Sequence, residues 1–341
     1  MSEPRMRSSP EFDLIAAIRE RLGEATAGPD VRIGIGDDAA VTTGPAGDAR
    51  AVSVDAIVDG VSFRRSWCPP RAIGRKAAGA ALSDLAAMGA RAAEAYVWLG
   101  MPDDLGRDDA LELCAGLADV IGGAGAALLG GDLTASPVLA LSVTAIGTAP
   151  APELLVGRAG AEVGDSVCVT GSFGSAAAGL MLLEHPELGA AVPAPAAAAA
   201  RDRQLDPEPR IAAGQALAGA GARAMIDVSD GLGADAEHLA AASGVSLEIE
   251  LDRVPVGLGV AEVARAAGRD PVELIASGGE DYELLCAVPR ARLAACVAAV
   301  ERTGVALTEV GRVGPGAAVR LRLPGGRSVR AAGHDHLRRG R

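Results

Sequence analysis

Acidic side chains recur in this sequence where their surroundings are apolar or glycine-rich. Asp37 and Asp38 stand side by side in GIGDDAAV (34–41), after the strand-like VRIGI. Asp55 interrupts AVSVDAIV (51–58), although strands are depleted in Asp. Asp84 lies inside LSDLAAMGA, a helical pattern in which Asp is a poor former. Asp132 closes AALLGGD after two glycines, which can let backbone approach a ligand. Asp227 and Asp230 flank Ser229 in MIDVSDGL, and Glu280 and Asp281 follow Gly278 and Gly279 in SGGEDYEL. Each has an ordinary explanation alone: a turn at Asp37, Asp38 or Asp132, a helix cap at Ser229 or Asp230, an exposed helical position at Asp84. Taken together they share a simpler purpose. Carboxylates gathered in one place repel unless cations sit among them. Mg²⁺ takes oxygen ligands, usually a few carboxylates with water and substrate phosphates, and glycine-rich turns offer backbone N–H groups to phosphate. The chemistry this pattern points to is phosphoryl transfer, or ATP-driven activation, at a nucleotide–magnesium site.

The elements that must position these residues alternate along the chain. AVSVDAIV reads as a strand, and Pro69 and Pro70 open a long helix that stops at Gly89. AYVWLGM, AALLGGD and VLALSVTAIGTA read as strands around the helix DALELCAGLADVIGGAG. TAPAPE (148–153) breaks the pattern and marks the expected boundary between domains 11–149 and 150–341. DSVCVTG, AMIDV, SLEIELDRV, ELLCAVP, LTEVGRV and VRLRLPGGRSV supply further strands, the last with a PGG turn. SAAAGLMLLE, RIAAGQALAGA and SDGLGADAEHLAAASG supply helices, and residues 185–209, rich in Pro and Ala, read as a connector. The expected fold class is α/β (α+β) in two halves.

Composition sets limits on function. The chain has 341 residues, which suits two domains of roughly 100–200 each. Hydrophobic residues make up 49% but aromatics only 2%, so the core must be built from Ala, Val, Leu and Ile. A net charge of −12 argues against a nucleic-acid partner. No apolar run is long enough to span a bilayer, and no signal-peptide pattern opens the sequence, so a cytoplasmic protein without membrane contact is expected. Cys68, Cys114, Cys168, Cys286 and Cys296 form no C-x-x-C and read as reduced thiols. Lys76 is the single lysine, and there is no G-x-x-x-x-G-K-[ST] loop, H-R-D or D-F-G. A P-loop enzyme and a protein kinase are therefore both excluded.

GIGDDAAV, VDAIVDGVSF, ALSDLAAMGA, GGDLT, IDVSDGL and SGGEDYEL, in that order, resemble the successive motifs of the thiamine-monophosphate kinase family. That family belongs to the aminoimidazole ribonucleotide synthetase-like superfamily, and the resemblance runs from about Glu11 to the C-terminus. It implies two α/β domains, with N-terminal domains pairing their sheets across a homodimer. The implied reaction is in-line transfer of the ATP γ-phosphoryl group to thiamine monophosphate, with several Mg²⁺ ions, giving thiamine diphosphate. By motif position, Asp38, Ser53, Asp55, Asp84, Asp132, Asp227 and Asp230 would hold metal, with Asp84, Asp132 and Asp230 the catalytic carboxylates. Gly131, Asp132, Arg158 and Ser229 would contact nucleotide, and Glu280 and Ser62 the substrate. An acceptor phosphate, with a second pKa near ~6, needs no general base, so the lack of a Ser-His-Asp set is expected. The sequence departs from the family pattern at Val54, Ser62 and Ala81, in GGDLT, and at Ala331, where a substrate-stacking Trp is usual. His334 and His336 in GHDHL match the family's G-x-D-H ending. A same-fold enzyme acting on another small phosphate ester, and a non-catalytic nucleotide- or thiamine-binding relative, are the competing readings.

Overall fold

A computed structural model describes residues 10–323 and 328–329. After helix α1 (Pro10–Leu22), strands β1 (Val31–Ile33), β2 (Ala40–Thr43), β3 (Ala49–Val58), β4 (Arg91–Met101), β5 (Ala127–Ala135) and β6 (Ala140–Ala149) form a sheet in the order β1-β2-β3-β6-β4-β5. Neighbours in it are antiparallel except β4 and β5, which run parallel because α3 (Arg107–Gly123) carries the chain between them. Helix α2 (Pro70–Ala87) joins β3 to β4 and packs on α3 and on the sheet. Among the described residues the opposite face of this sheet is uncovered: Val54 is 66% exposed and Leu133 69%, with Tyr96 and Trp98 over a third exposed. That amount of apolar surface is large for a solvent-facing sheet.

The second sheet, ordered β13-β12-β9-β11-β7-β10-β8, is built differently. Its strands are β7 (Ser166–Thr170), β8 (Ala224–Asp227), β9 (Ser246–Glu250), β10 (Leu284–Val288), β11 (Leu307–Gly314), β12 (Val319–Arg322) and β13 (Ser328–Val329). Val167, Val169, Ile226 and Leu285 face one core, with α4 (Ser175–Glu184), α7 (Leu232–Ser243), α8 (Val260–Ala266) and α9 (Pro271–Ser277). Cys168, Met225, Cys286 and Val288 face another, with α6 (Ile211–Ala220) and α10 (Leu293–Glu301). Both faces being covered explains why β7, β8 and β10 are buried throughout and read as continuous apolar runs. The α/β class expected from the alternating pattern is thus realised.

Residues 185–209 are more ordered than a connector. They contain α5 (Ala194–Leu205), with Pro193 at its N-cap and Pro195 in its first turn. At those positions proline forfeits no helical hydrogen bond, so it starts the helix that its presence seemed to forbid. The PGG turn expected between β12 and β13 lies outside the described residues, but the two strands do pair antiparallel. Among the described residues, no helix is long and apolar enough to cross a membrane.

α2 is the element that unites the halves. It is buried on nearly every side, by α3, by the first sheet and by α6 and β8 of the second half. Backbones touch where glycine permits. A Cβ on Gly74 would lie 2.0 Å from the Leu113 carbonyl oxygen, and one on Gly214 would lie 2.0 Å from that of Ala86. From Lys76 to Ala87 every residue of α2 except Asp84 is buried.

Candidate active site

Three carboxylates from distant parts of the chain meet beside α2. Asp38 comes from the turn before β2, Asp84 from α2 and Asp227 from the end of β8; each offers an oxygen within 4.8 Å of the others. Hydroxyls orient two of them. Ser53 on β3 donates to Asp84, and Ser83 donates to Asp227 at 2.6 Å. Burial, then the nearby Asp227, Asp38 and Asp55, raise the Asp84 pKa well above the ordinary range. Burial and then Asp38 push Asp227 up to about 7. Burial also lifts Asp38 to about 6, although Arg158 opposes the shift. The cluster therefore favours a cation among its members.

The adjacent Asp37 and Asp38 divide their work. Asp37 accepts hydrogen bonds from the backbone N–H groups of Arg158, at 3.1 and 3.3 Å, and of Asp38, at 3.0 Å. It fastens the loop after β6 to the turn. Asp38 pairs through Oδ1 with the Arg158 guanidinium, while its buried Oδ2 has no hydrogen-bond partner. A carboxylate with an unpartnered buried oxygen, in a cluster with two further carboxylates, suits a hard divalent cation such as Mg²⁺.

The cluster opens into a cavity of about 920 Å³ between the two halves. Asp55, Asp84, Asp227 and Asp230 line it together with Ser229, as do the apolar Phe63, Trp67, Leu180, Met181 and Leu274 and the charged Arg64 and Arg269. Ser62 and Glu280 also line it. The segment 277–284 deals its side chains out alternately. Glu280 and Tyr282 face the cavity, whereas Asp281 accepts from the Gly174 N–H at 2.8 Å and tethers the start of α4. Glu283 is buried between Arg203 and Arg210, each at 2.7 Å. Glu280 and Tyr282 adopt left-handed φ angles of 64° and 49°, a conformation that costs a non-glycine residue about 1–2 kcal/mol. Hydrogen bonds from their N–H groups to the Ser229 and Val228 oxygens, 2.7 and 2.8 Å long, hold them there.

Two family models cover most of this chain: the AIR synthase related protein N-terminal domain matches residues 36–149, and its C-terminal domain matches 162–324. The thiamine-monophosphate kinase of Rhodopirellula baltica is 35% identical over 314 residues, covering 89% of each chain. That of Aquifex aeolicus is 32% identical over 98% of this chain and 100% of its own. The chain belongs to the thiamine-monophosphate kinase family. A solved structure of AaThiL complexed with AMPPCP and TMP superposes with a TM-score of 0.83 at 31% identity, covering 98% of this chain and 100% of that one.

Of the positions matched to thiamine-monophosphate kinase motifs, Asp38, Ser53, Asp55, Asp84, Asp227, Ser229, Asp230, Arg158, Glu280 and Ser62 all lie in the cluster, on its direct partners or on the cavity wall. Gly131 and Asp132 do not. Both are on the exposed edge strand β5, where Asp132 accepts from Thr134 at 3.2 Å. Gly131 is required by its neighbour strand: a Cβ there would lie 1.7 Å from the Val97 oxygen. The glycine thus admits the close approach of β4. Ala331, His334 and His336 lie outside the described residues. Sequence reasoning missed Ser83, Gln204, Asp235 and His238. Asp235 accepts from the Asp230 and Gly231 N–H groups at 3.1 Å. His238 stacks on Phe12 with ring centroids 3.7 Å apart, and burial lowers its pKa to about 4. Ser83 was legible as the neighbour of Asp84; Gln204 was hidden in the presumed connector.

Proposed function

We propose that the chain transfers the γ-phosphoryl group of ATP to thiamine monophosphate, giving ADP and thiamine diphosphate. The observation that carries this reading is one cavity lined by both a cation-demanding group of carboxylates and apolar side chains, with the fixed carboxylate of Glu280, in a chain whose relatives are thiamine-monophosphate kinases. A thiamine phosphate ester has matching parts: a phosphate for the cation that the carboxylates demand, and a cationic ring system for the apolar side chains and Glu280.

Mg²⁺ held by Asp38, Asp84 and Asp227, with Asp55 and Asp230 beside them, would supply charge neutralisation between two polyanions. The protein's own groups then have three tasks. Ser53, Ser83 and Arg158 fix the carboxylates that hold the cation. Ser229, at the start of the turn before α7, lies on the wall where a nucleotide phosphate would be oriented. Glu280 and the apolar walls hold the thiamine part so that its phosphate faces the γ-phosphorus. An acceptor oxygen forms the new P–O bond as the bond to the β–γ bridging oxygen breaks, and ADP leaves. Near neutral pH the acceptor is already largely ionised, so the chain need supply no base.

We further read the molecule as a homodimer. The uncovered face bearing Val54, Tyr96, Trp98 and Leu133 suits a second copy of the same sheet. Gly131 and Asp132 lie on that sheet's edge strand and would enter the site only in the assembled dimer. The test of function is direct. Purified protein with ATP, Mg²⁺ and thiamine monophosphate should produce thiamine diphosphate, and Asp84→Asn should abolish it. Turnover of a different phosphate ester with none of this product would replace the acceptor.

A further inference from the structure

The chain's single lysine is not on its surface. Lys76, on α2, is 1% exposed. Its Nζ lies 2.8 Å from Oε1 of Glu280 and 2.9 Å from the main-chain oxygen of Gln204. The second Glu280 oxygen, Oε2, accepts a hydrogen bond from Gln204 Nε2. Both carboxylate oxygens are therefore gripped, one by each half of the chain, while the Glu280 backbone is pinned to Ser229. Gln204 Oε1 is buried with no partner, so the amide is oriented entirely for what its nitrogen does.

This arrangement asks for a reason beyond stability. A buried ion pair can often be replaced by apolar residues of similar volume at little loss, and Arg75 already ties α2 to Asp206 at the end of α5, 2.9 Å away. Glu280 shares its cavity with Asp55, Asp84, Asp227 and Asp230. Like charges would turn a loosely held carboxylate away from that wall. Lys76 and Gln204, both buried, oppose such a movement by holding one carboxylate oxygen each.

We propose that Lys76 and Gln204 are positioning residues that hold the Glu280 carboxylate in one orientation, so that it meets the cationic ring system of the acceptor substrate. The inference rests on the functional reading above and deepens it. It is tested by the steady-state kinetics of Lys76→Met, Gln204→Leu, Glu280→Gln and the double variant Lys76→Met/Glu280→Gln. Lys76→Met and Gln204→Leu should each raise KM for thiamine monophosphate by about tenfold, the usual scale for a supporting group, with kcat and KM for ATP within about twofold of wild type, and Glu280→Gln should raise KM for thiamine monophosphate at least as much. The double variant should be no worse than Glu280→Gln alone, because Lys76 acts through that carboxylate. An unchanged KM for thiamine monophosphate, an equal rise in both KM values, or multiplying effects in the double variant would each overturn the proposal and leave Lys76 a structural tie. Should Lys76→Met fail to fold, Gln204→Leu gives the same readout from the other oxygen. If the wild type itself makes no thiamine diphosphate, the functional reading fails and this inference falls with it. If the wild type is active and the variants match it, only the clamp is lost.

Discussion

Asp37 and Asp38 are adjacent and identical in type, yet their environments differ completely. Asp37 spends its oxygens on backbone N–H groups, and Asp38, clustered with Asp84 and Asp227, keeps one buried oxygen unpaired. Asp38→Ala should lower kcat by about a hundredfold or more, as for loss of a group preorganised around reacting charge. Asp37→Ala should retain most turnover and lose about 1–3 kcal/mol in urea unfolding, since it leaves a loop N–H without its acceptor. The reverse order would exchange the two roles. The cluster also sets a pH dependence. Asp38 and Asp227 titrate near 6 and 7 when folded, against 3.8 without those surroundings. A raised carboxylate pKa means the folded chain binds the proton more tightly, so this contribution to stability is full below about pH 4 and lost as pH rises through about 7. Metal ligands must be deprotonated. After EDTA treatment and removal of the chelator, the melting temperature should therefore gain from added Mg²⁺ much more at about pH 8 than at about pH 5, a difference that Asp227→Asn should flatten. Equal gains at both pH values would show that these carboxylates do not bind the ion. Sequence spacing could place both aspartates at a turn, but only the folded position of Arg158, 120 residues away, separates their tasks.

At the scale of elements, α2 decides how well the site is built. Gly74 meets α3 backbone to backbone, and Gly116 of α3 returns the contact: a Cβ there would lie 2.0 Å from the Arg71 oxygen. Gly122, also in α3, faces open space. Alanine is normally the better helix former by about 1 kcal/mol. Gly122→Ala should accordingly stabilise by up to that amount, while Gly74→Ala should destabilise by about 1–3 kcal/mol through overpacking; urea denaturation distinguishes them. These glycines look alike in the sequence, because helical periodicity records which face is apolar and not how close a neighbouring backbone comes. The same limit explains α5. Its Ala-rich, proline-flanked sequence carries no amphipathic signal, and what orders it is packing against α4 and the reach of Lys76 and Arg75 from α2. The strand and helix junctions bearing Asp55, Asp84 and Asp227 were legible because an acid amid apolar residues is conspicuous. Lys76 was visible as a count of one, but its partners come from segments separated by more than a hundred residues.

On the scale of the whole molecule, the first sheet is finished on one side only. Its two-fold partner is expected to be another copy, so sedimentation should report a dimer, and Leu133→Asp should shift it toward monomer by placing charge on the face. A wild type that sediments as a monomer at micromolar concentration would remove the pairing and, with it, the route by which Asp132 reaches the site. The second sheet, covered on both faces, has no such vacancy. Between the sheets, the glycine contacts of α2 have an effect that stability measurements do not capture. A Cβ on Gly79 would lie 2.5 Å from the Pro207 oxygen, a third close approach beside those at Gly74 and Gly214, so α2 is blocked along three directions. Packed interiors shift between discrete arrangements and do not stretch. Asp84 is thereby denied the freedom to retreat from Asp38 and Asp227. Calcium is accommodated by ligand shells that expand, magnesium by shells that stay small and regular. With the proposed Mg²⁺ in place, the closeness of helix backbones would limit how far the ligand shell could widen for a larger ion.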